Sequence, residues 1–378
     1  MAHPPIAEPR EGEILRFGIY PNWGSEFTLG NPETIIWSSI HHLCSRSAAE
    51  YYARVAHGIS NKRDRRAVAE NIKLYIHQAS EFYQAAASAK PNTAPLIYYY
   101  SFLNLAKAFC EIRKPRFHQR KECYAHGLGW RPSRTRVVNP WSERVTIGTR
   151  GVWHALWEAL TGRVCPAADG VRLPVRKLFS YCPEVSAEYL SIFSGATPTV
   201  DLVAPGVVYN KTKREAWLRF SLRRADLKAH GLHVPALLRQ TKTVHSAFFE
   251  VRSVDTSLRL FESETAKAMG PDDDPWTAVR ADVSALNVIS MYGDTPNLSY
   301  AIPIQGSLPI SLPQLLVSYT TLFWLGSLVR YDPHSVHRLM DSEFWVLIDG
   351  FMSQSRPWLL ELFQWALYQR EITLRTAR

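Results

Sequence analysis

Cysteine is scarce in this 378-residue sequence, and its spacing excludes the usual cysteine-based sites. The five cysteines form no CxxC pair, and an odd number cannot close entirely into intramolecular disulfides. Reduced thiols are typical of the cytoplasm. The N-terminal segment has prolines and acidic residues where a secretion signal needs a basic start and an apolar core. We therefore expect a cytoplasmic protein.

Long apolar runs and familiar catalytic motifs are also lacking. The longest candidate run, residues 312–329, is interrupted by a proline, a glutamine and several hydroxyl side chains, which predicts a buried core helix and no membrane partner. The sequence has no Walker A loop, no GxSxG and no HExxH, which removes many nucleotide-binding and hydrolase classes. His41, His42 and Cys44 have no second cluster with zinc-like spacing. We expect no metal and no cofactor.

Positive charge exceeds negative charge. Lysine and arginine number 44 and aspartate and glutamate 34, which gives a formal net charge of +10. With 46% hydrophobic and 12% aromatic residues, the composition is that of a globular protein, not of a disordered one. The excess favours a polyanionic partner such as nucleic acid, whereas the same charge spread evenly would only improve solubility.

The hydrophobic pattern divides the chain into four parts. Residues 1–45, rich in Pro, Gly and Trp, predict an extended N-terminal arm. Residues 46–196 have helical periodicity and contain a basic loop, residues 197–265 carry short β-type runs between turn residues, and residues 266–378 return to helix. These features predict a mainly α protein, in which the C-terminal helices complete a helical bundle core and residues 197–265 form a small antiparallel β insertion.

A central helix with a polar stripe is predicted in the second part. In YYYSFLNLAKAFCEI, apolar residues recur at helical spacing over a wide face. Tyr100, Asn104, Lys107 and Glu111 form a polar stripe, in which Lys107 and Glu111 have the spacing of an i,i+4 ion pair. Arg330 ends an apolar helix, where it either meets the negative end of that helix or, in a single bundle, approaches Asn104. We expect a polar network of Tyr100, Asn104, Lys107 and Arg330.

A basic segment follows this helix. Between residues 113 and 136 one acid, Glu122, accompanies eight cations. Phe117, Tyr124 and Trp130 are interleaved, either to stack on unpaired bases or to anchor the core. We expect RNA or single-stranded DNA to bind here. The basic residues are Arg113, Lys114, Arg116, Arg120, Lys121, Arg131, Arg134 and Arg136.

Three stretches resemble the YaaC-like family. They are LIYYYSFLNLAKAF followed by AHGL, VRLPVRKLFSYCPEV, and YTTLFWLGSLVRYDP near the C-terminus. Their order and spacing carry the resemblance over residues 90–370. The resemblance implies a mostly helical, cytoplasmic bacterial protein and assigns no reaction.

Paired tyrosines, an LAKA segment and a following histidine and glycine are also similar to the helical HEPN superfamily. Its nucleases use an arginine, four to six residues, and then a histidine. Arg120 and His126 fit this spacing, as do Arg330 and His337. The resemblance implies a metal-independent ribonuclease, used as a toxin or antiviral effector.

In such a nuclease His126 would transfer protons and Arg120 would hold the phosphate, so these two are the candidate catalytic residues. The alternative is that His126 supports a turn opened by Gly127 while Arg120 lies on a solvated loop. The favoured hypothesis is a subunit that binds nucleic acid or a partner, with a role in antiviral defence. The β region is then an interface for a protein partner or a second copy of the chain. The ribonuclease is the second hypothesis.

Overall fold

The computed structural model describes residues 6–20, 22–28, 31–131, 138–165, 170–193, 199–229, 231, 248–270, 273–286, 288–292, 298–303 and 308–376. The chain divides into two compact units. A sheet unit combines Met1–Trp23 with Ala196–Ser307, and a helical unit combines Gly24–Gly195 with Leu308–Arg378.

The helices are numbered in chain order, and short turns complete them. Single 3₁₀ turns cover Phe117–Gln119, Lys121–Tyr124 and Pro183–Val185, and a π-helical turn covers Phe351–Ser355. The α-helices are α1 (Pro32–His42), α2 (Arg46–Val55), α3 (Lys62–Ala87), α4 (Ala94–Arg113), α5 (Val152–Thr161), α6 (Val175–Ser180), α7 (Ser186–Ile192), α8 (Arg224–Ala229), α9 (Pro275–Leu286), α10 (Gln314–Tyr331), α11 (Pro333–Met340), α12 (Phe344–Gly350) and α13 (Arg356–Tyr368).

The strands are numbered in the same way. They are β1 (Glu13–Arg16), β2 (Asn22–Thr28), β3 (Leu128–Gly129), β4 (Arg144–Ile147), β5 (Arg172–Pro174), β6 (Thr199–Asn210), β7 (Glu215–Arg223), β8 (Phe248–Val251), β9 (Leu258–Ser263), β10 (Lys267–Ala268), β11 (Ile289–Tyr292), β12 (Leu298–Pro303) and β13 (Arg370–Thr376).

Helix α4 is the centre of the helical unit. It is buried around most of its circumference, as expected of a helix that is apolar on nearly all sides. Helices α3 and α10 both pack against it. Gly326 lets α10 approach closely, because a Cβ there would lie 3.1 Å from the Cβ of Tyr99 and 3.4 Å from the Cα of Leu96. The helices that carry the first and the last of the three stretches resembling the YaaC-like family are therefore direct neighbours.

Two buried hydroxyl groups of α10, those of Thr320 and Thr321, are hydrogen-bonded, which makes their burial tolerable. Thr320 donates to the carbonyl of Leu316 at 2.6 Å and accepts from Nε1 of Trp153 at 2.9 Å. The indole thereby ties α5 to α10. No helix in the described part of the chain is long and apolar enough to cross a membrane.

The sheet unit contains an eight-stranded antiparallel sheet. Its order is β11-β12-β6-β7-β9-β8, with β1 paired to β6 and β10 paired to β7. Gly206 lets β1 approach β6, since a Cβ there would lie 2.6 Å from Cγ2 of Ile14. The fully buried Glu262 accepts from Nε of Arg10 at 2.9 Å and from Nε of Arg219 at 2.8 Å. Charge in this core is thus paired.

The prediction of a mainly α bundle with a small β insertion is wrong, because the fold is mixed α/β. Strands β1, β10, β11 and β12 lie outside residues 197–265 and join the same sheet. Each of them is only two to six residues long. Such short runs carry little periodicity, and their partners are distant in sequence: Glu13 lies opposite Tyr209.

Candidate functional site

The backbone of Ala125–Gly127 is fixed against the start of α5. The amide of Val152 donates to the carbonyl of Ala125 at 2.8 Å, and that of Trp153 donates to the carbonyl of His126 at 3.1 Å. These bonds satisfy two of the N–H groups that the first turn of a helix leaves unpaired. Gly127 has a φ of 78°, and a Cβ on Gly151 would clash with the Gly127 backbone. The turn therefore needs both glycines. This agrees with the alternative in which His126 lies at a turn opened by Gly127.

The side chain of His126 lies against α4 and α10. Its Nδ1 is 2.8 Å from the hydroxyl of Tyr99, and its ring centre is 6.1 Å from that of Phe323. Burial lowers the pKa of His126 below its ordinary value, and the positive charges of Lys107 and Arg330 lower it further. A neutral imidazole has one donor and one acceptor nitrogen. His126 is thus a half-buried imidazole whose protonation is disfavoured by burial and by two cations.

Arg330 extends along the rim of this site. Its Nη1 donates to the hydroxyl of Tyr100 at 3.1 Å, and its guanidinium carbon lies 5.1 Å from the ring centre of Tyr331. The rings of Tyr100 and Phe82 are 5.9 Å apart. Phe82 is 38% exposed and Tyr331 is 54% exposed. A surface cation therefore lies against one exposed aromatic ring, that of Tyr331, and is hydrogen-bonded to a tyrosine that contacts another, that of Phe82.

The other two residues of the predicted network, Asn104 and Lys107, lie on α4, as Tyr100 does. Asn104 is 7% exposed, and its Nδ2 donates to the carbonyl of Tyr100 at 3.0 Å, within its own helix. Lys107 acts on the pKa of His126, and its Nζ is 5.9 Å from the ring centre of Tyr75. Among the described residues Lys107 has no ion-pair partner. The His126 cluster, as we call it, consists of Tyr99, Tyr100, Asn104, Lys107, His126 and Arg330.

Glu111, the last member of the predicted polar stripe, binds the loop after α4 instead of pairing with Lys107. Its fully buried carboxylate accepts from the backbone amide of Arg116 at 2.7 Å and from that of His118 at 2.9 Å. Hydrogen bonds to a carboxylate are about twice as strong as neutral ones. Glu111 therefore holds the loop after α4 in place, and it is not paired with Lys107.

Much of the basic segment is engaged within the protein. Lys114 is ion-paired with Glu158, and Arg116 with Asp64 at 3.1 Å. Nη1 of Arg113 lies 3.4 Å from Nδ1 of His57. Lys121 and Arg131 are exposed, and Arg134 and Arg136 lie outside the described residues. The nucleic-acid role of these seven residues remains a prediction.

The aromatic residues of the segment differ in burial. Phe117 is fully buried, and Trp130 is buried with its Nε1 donating to Glu143 at 2.7 Å. Both therefore anchor the core, which was the alternative to stacking on unpaired bases. Tyr124 is 80% exposed.

Arg120 lies in a different cleft from His126. That cleft is lined from the loop after α4 and from the start of α5, and His126 is not one of the described residues that line it. The charges that act on His126 come from Lys107 and Arg330. His337 is exposed and lies 3.7 Å from Asp341. The two spacing matches were Arg120 with His126 and Arg330 with His337. In the structure, His126 of the first match is influenced by the charge of Arg330 of the second.

Sequence reasoning missed three residues of this surface. They are Tyr99, Tyr331 and Phe82, which the sequence does not distinguish from core aromatic residues. The available signal was the run of three tyrosines at YYY and the arginine next to a tyrosine in VRY. No group of three or more metal-ligating side chains is present in the part of the chain that the structure describes.

A family model whose description is YaaC-like Protein matches residues 41–366. The matched span includes every residue of the His126 cluster. Neither the curated proteins nor the solved structures give a match. The resemblance to the HEPN superfamily is not shown by these comparisons.

Proposed function

This chain belongs to the YaaC-like family. We propose that it is a binding subunit whose His126 cluster binds single-stranded nucleic acid, with RNA as its main ligand. One observation carries the proposal: the exposed Arg330 lies against the exposed ring of Tyr331 and donates to the hydroxyl of Tyr100, whose ring contacts the exposed ring of Phe82. Cations along a backbone track with aromatic rings beside them are the usual means of binding unpaired strands.

The charges of the cluster support this ligand. After burial, the charges of Lys107 and Arg330 both disfavour a proton on His126, so both contribute positive potential at the imidazole. A phosphate between these side chains would neutralise that potential and release counterions. The rings of Tyr331 and Phe82 offer stacking faces that accept any base.

The test is anisotropy of a fluorescent single-stranded RNA titrated with protein between about 50 and 200 mM salt. Arg330→Gln should weaken binding about tenfold and lower the slope of log affinity against log salt by about one. Arg54→Gln, an exposed arginine on α2, is the matched control and should change neither quantity. An unchanged affinity and slope in Arg330→Gln would contradict the proposal.

A second candidate function, metal-independent RNA cleavage, is favoured by the bond between Tyr99 and His126. A neutral imidazole oriented by a buried hydroxyl can take the proton of a 2′-hydroxyl. The 2′-oxygen then bonds to phosphorus, the bond from phosphorus to O5′ breaks, and water protonates the leaving oxygen. Arg330 and Lys107 would stabilise the charge that develops on the phosphoryl oxygens.

Cleavage is tested in EDTA with a search for 2′,3′-cyclic phosphate ends. His126→Ala should abolish cleavage and keep most of the RNA affinity, since the cations supply the attraction. A folded His126→Ala protein that cuts at the wild-type rate would exclude this histidine as the catalyst.

We also propose a role in antiviral defence, which predicts that a strain with His126→Ala loses protection against phage.

A further inference from the structure

A second polar cleft in the helical unit has no role in the proposed function. Its volume is about 200 Å³, and its walls include Lys114, Arg120, Arg150, His154 and Glu158. Arg120 lies between two 3₁₀ turns after α4, and Arg150 lies in the loop between β4 and α5. Two chain segments separated in sequence thus each bring one arginine to the same cavity.

Only part of the positive charge in this cleft is neutralised by the protein. Lys114 is ion-paired with Glu158. Burial lowers the pKa of Lys114, and the nearby charge of Arg120 lowers it further. Neither Arg120 nor Arg150 forms an ion pair with any residue that the structure describes. Glu122 is the remaining acid on the wall, so two arginines face one free carboxylate.

The backbones that carry both arginines are held firmly. The amide of Arg120 donates to the carbonyl of Phe117 at 2.9 Å, and its carbonyl accepts from Cys123 at 3.1 Å. Arg150 precedes Gly151, whose φ of 149° and tight fit against Gly127 fix the loop. A site that is ordered before binding loses less entropy when a ligand arrives.

We propose that this cleft binds the phosphate group of a small phosphorylated ligand through Arg120 and Arg150. The planar fork of an arginine matches phosphate oxygens, and two forks brought to one cavity by different segments provide paired donors. Thr149 and His154 add polar groups to the lining. The volume exceeds the roughly 30 Å³ of a water molecule and falls short of the roughly 300–1,000 Å³ of drug-sized ligand sites. A small ligand therefore fits. The site is independent of the His126 cluster.

The experiment is isothermal titration calorimetry of the full chain with inorganic phosphate, at neutral pH and at an ionic strength held constant with sodium chloride. Wild type should bind one phosphate. Arg120→Gln and Arg150→Gln should each weaken binding about tenfold, as expected when one charged hydrogen-bonding partner is removed. Both side chains are exposed, so the melting temperatures without phosphate should match that of wild type.

Two controls separate this site from other cationic surfaces. Arg54→Gln should bind phosphate as wild type does, and so should Arg330→Gln, which tests the RNA proposal instead. Equal affinity in wild type and Arg150→Gln, or no heat of binding in wild type, would overturn the inference. Loss of phosphate binding in Arg330→Gln with retention in Arg150→Gln would also overturn it, because the ion would then bind at the His126 cluster.

Discussion

Two groups of cations in the helical unit differ in what surrounds them. Lys114 and Arg116 lie where the sequence is most basic, and each is ion-paired with a carboxylate. Lys107 and Arg330 come from two helices distant in sequence, and neither has an ion-pair partner among the described residues. The density of charge along a chain therefore does not locate a surface for a polyanion. The partners that the fold supplies decide which cations remain available.

The largest effect is expected at Glu111, which organises the paired group. Glu111→Ala leaves the backbone amides of Arg116 and His118 without their acceptor, and it should lower the free energy of unfolding by about 4 kcal/mol. Urea denaturation measures this change. Glu70→Ala, at an exposed position of α3, is the control and should change stability little. Equal stability of both variants would show that the loop after α4 does not depend on the carboxylate.

The next effect tests the comparison of the two groups directly. Lys107→Gln combined with Arg330→Gln should weaken RNA binding by about 2 kcal/mol, or about thirtyfold, because both charges are available to phosphates. Lys114→Gln combined with Arg116→Gln removes the same charge and should weaken it less than about threefold. Anisotropy titrations at one salt concentration compare them. Equal losses in the two double variants would mean that net charge alone governs binding.

A smaller effect is expected from pH. The pKa of His126 is lowered by burial and by its two cationic neighbours, so the unfolded chain takes up this proton at a higher pH than the folded one. The stability of wild type relative to His126→Gln should therefore fall as pH decreases through 6.5 towards the lower pKa of the folded state, and should be level above neutrality. Urea denaturation across this range measures the difference. Bound RNA should raise the pKa, and a pH dependence of the opposite sign would contradict the electrostatic description.

The smallest effect is expected at Asn104. Among the described residues the side chain of Asn104 makes a hydrogen bond only to a carbonyl one turn earlier in α4, so Asn104→Leu should cost about 1 kcal/mol or less. Asn71 makes the same bond to Ala67 in α3, and Asn71→Leu is a matched control. Thermal unfolding of both variants should give similar losses. A much larger loss at Asn104 would show that this amide stabilises the cluster beyond its own helix.

The parts of the fold that could be predicted are those with local periodicity. The apolar pattern from Tyr98 to Ile112 lies within α4, and the pattern from residue 312 onwards corresponds to α10. The sheet could not be predicted in the same way, because β1 and β12 are short and pair with β6 across long stretches of chain. A periodicity reports neighbours along the chain, whereas a strand register depends on distant ones.

The candidate site shows the same limit. A polar network of Tyr100, Asn104, Lys107 and Arg330 was expected from helical spacing together with a single bundle. Arg330 donates to the hydroxyl of Tyr100, whereas the hydrogen bond of Asn104 stays within α4, so the network of all four residues remains a prediction. The partner of His126 was assigned from a spacing rule, which selected Arg120. The contact between α4 and α10 selects Arg330 instead, and no spacing rule within one segment contains that information.

The two units are interleaved along the chain, and this order has a consequence for biosynthesis. The helical unit is made of Gly24–Gly195 and Leu308–Arg378, so the segment of the sheet unit emerges from the ribosome between its two halves. Helix α4 is therefore synthesised long before α10, which covers part of its apolar surface. A nascent chain that has not reached Leu308 exposes that surface, and the His126 cluster is completed only after Arg330 has been added.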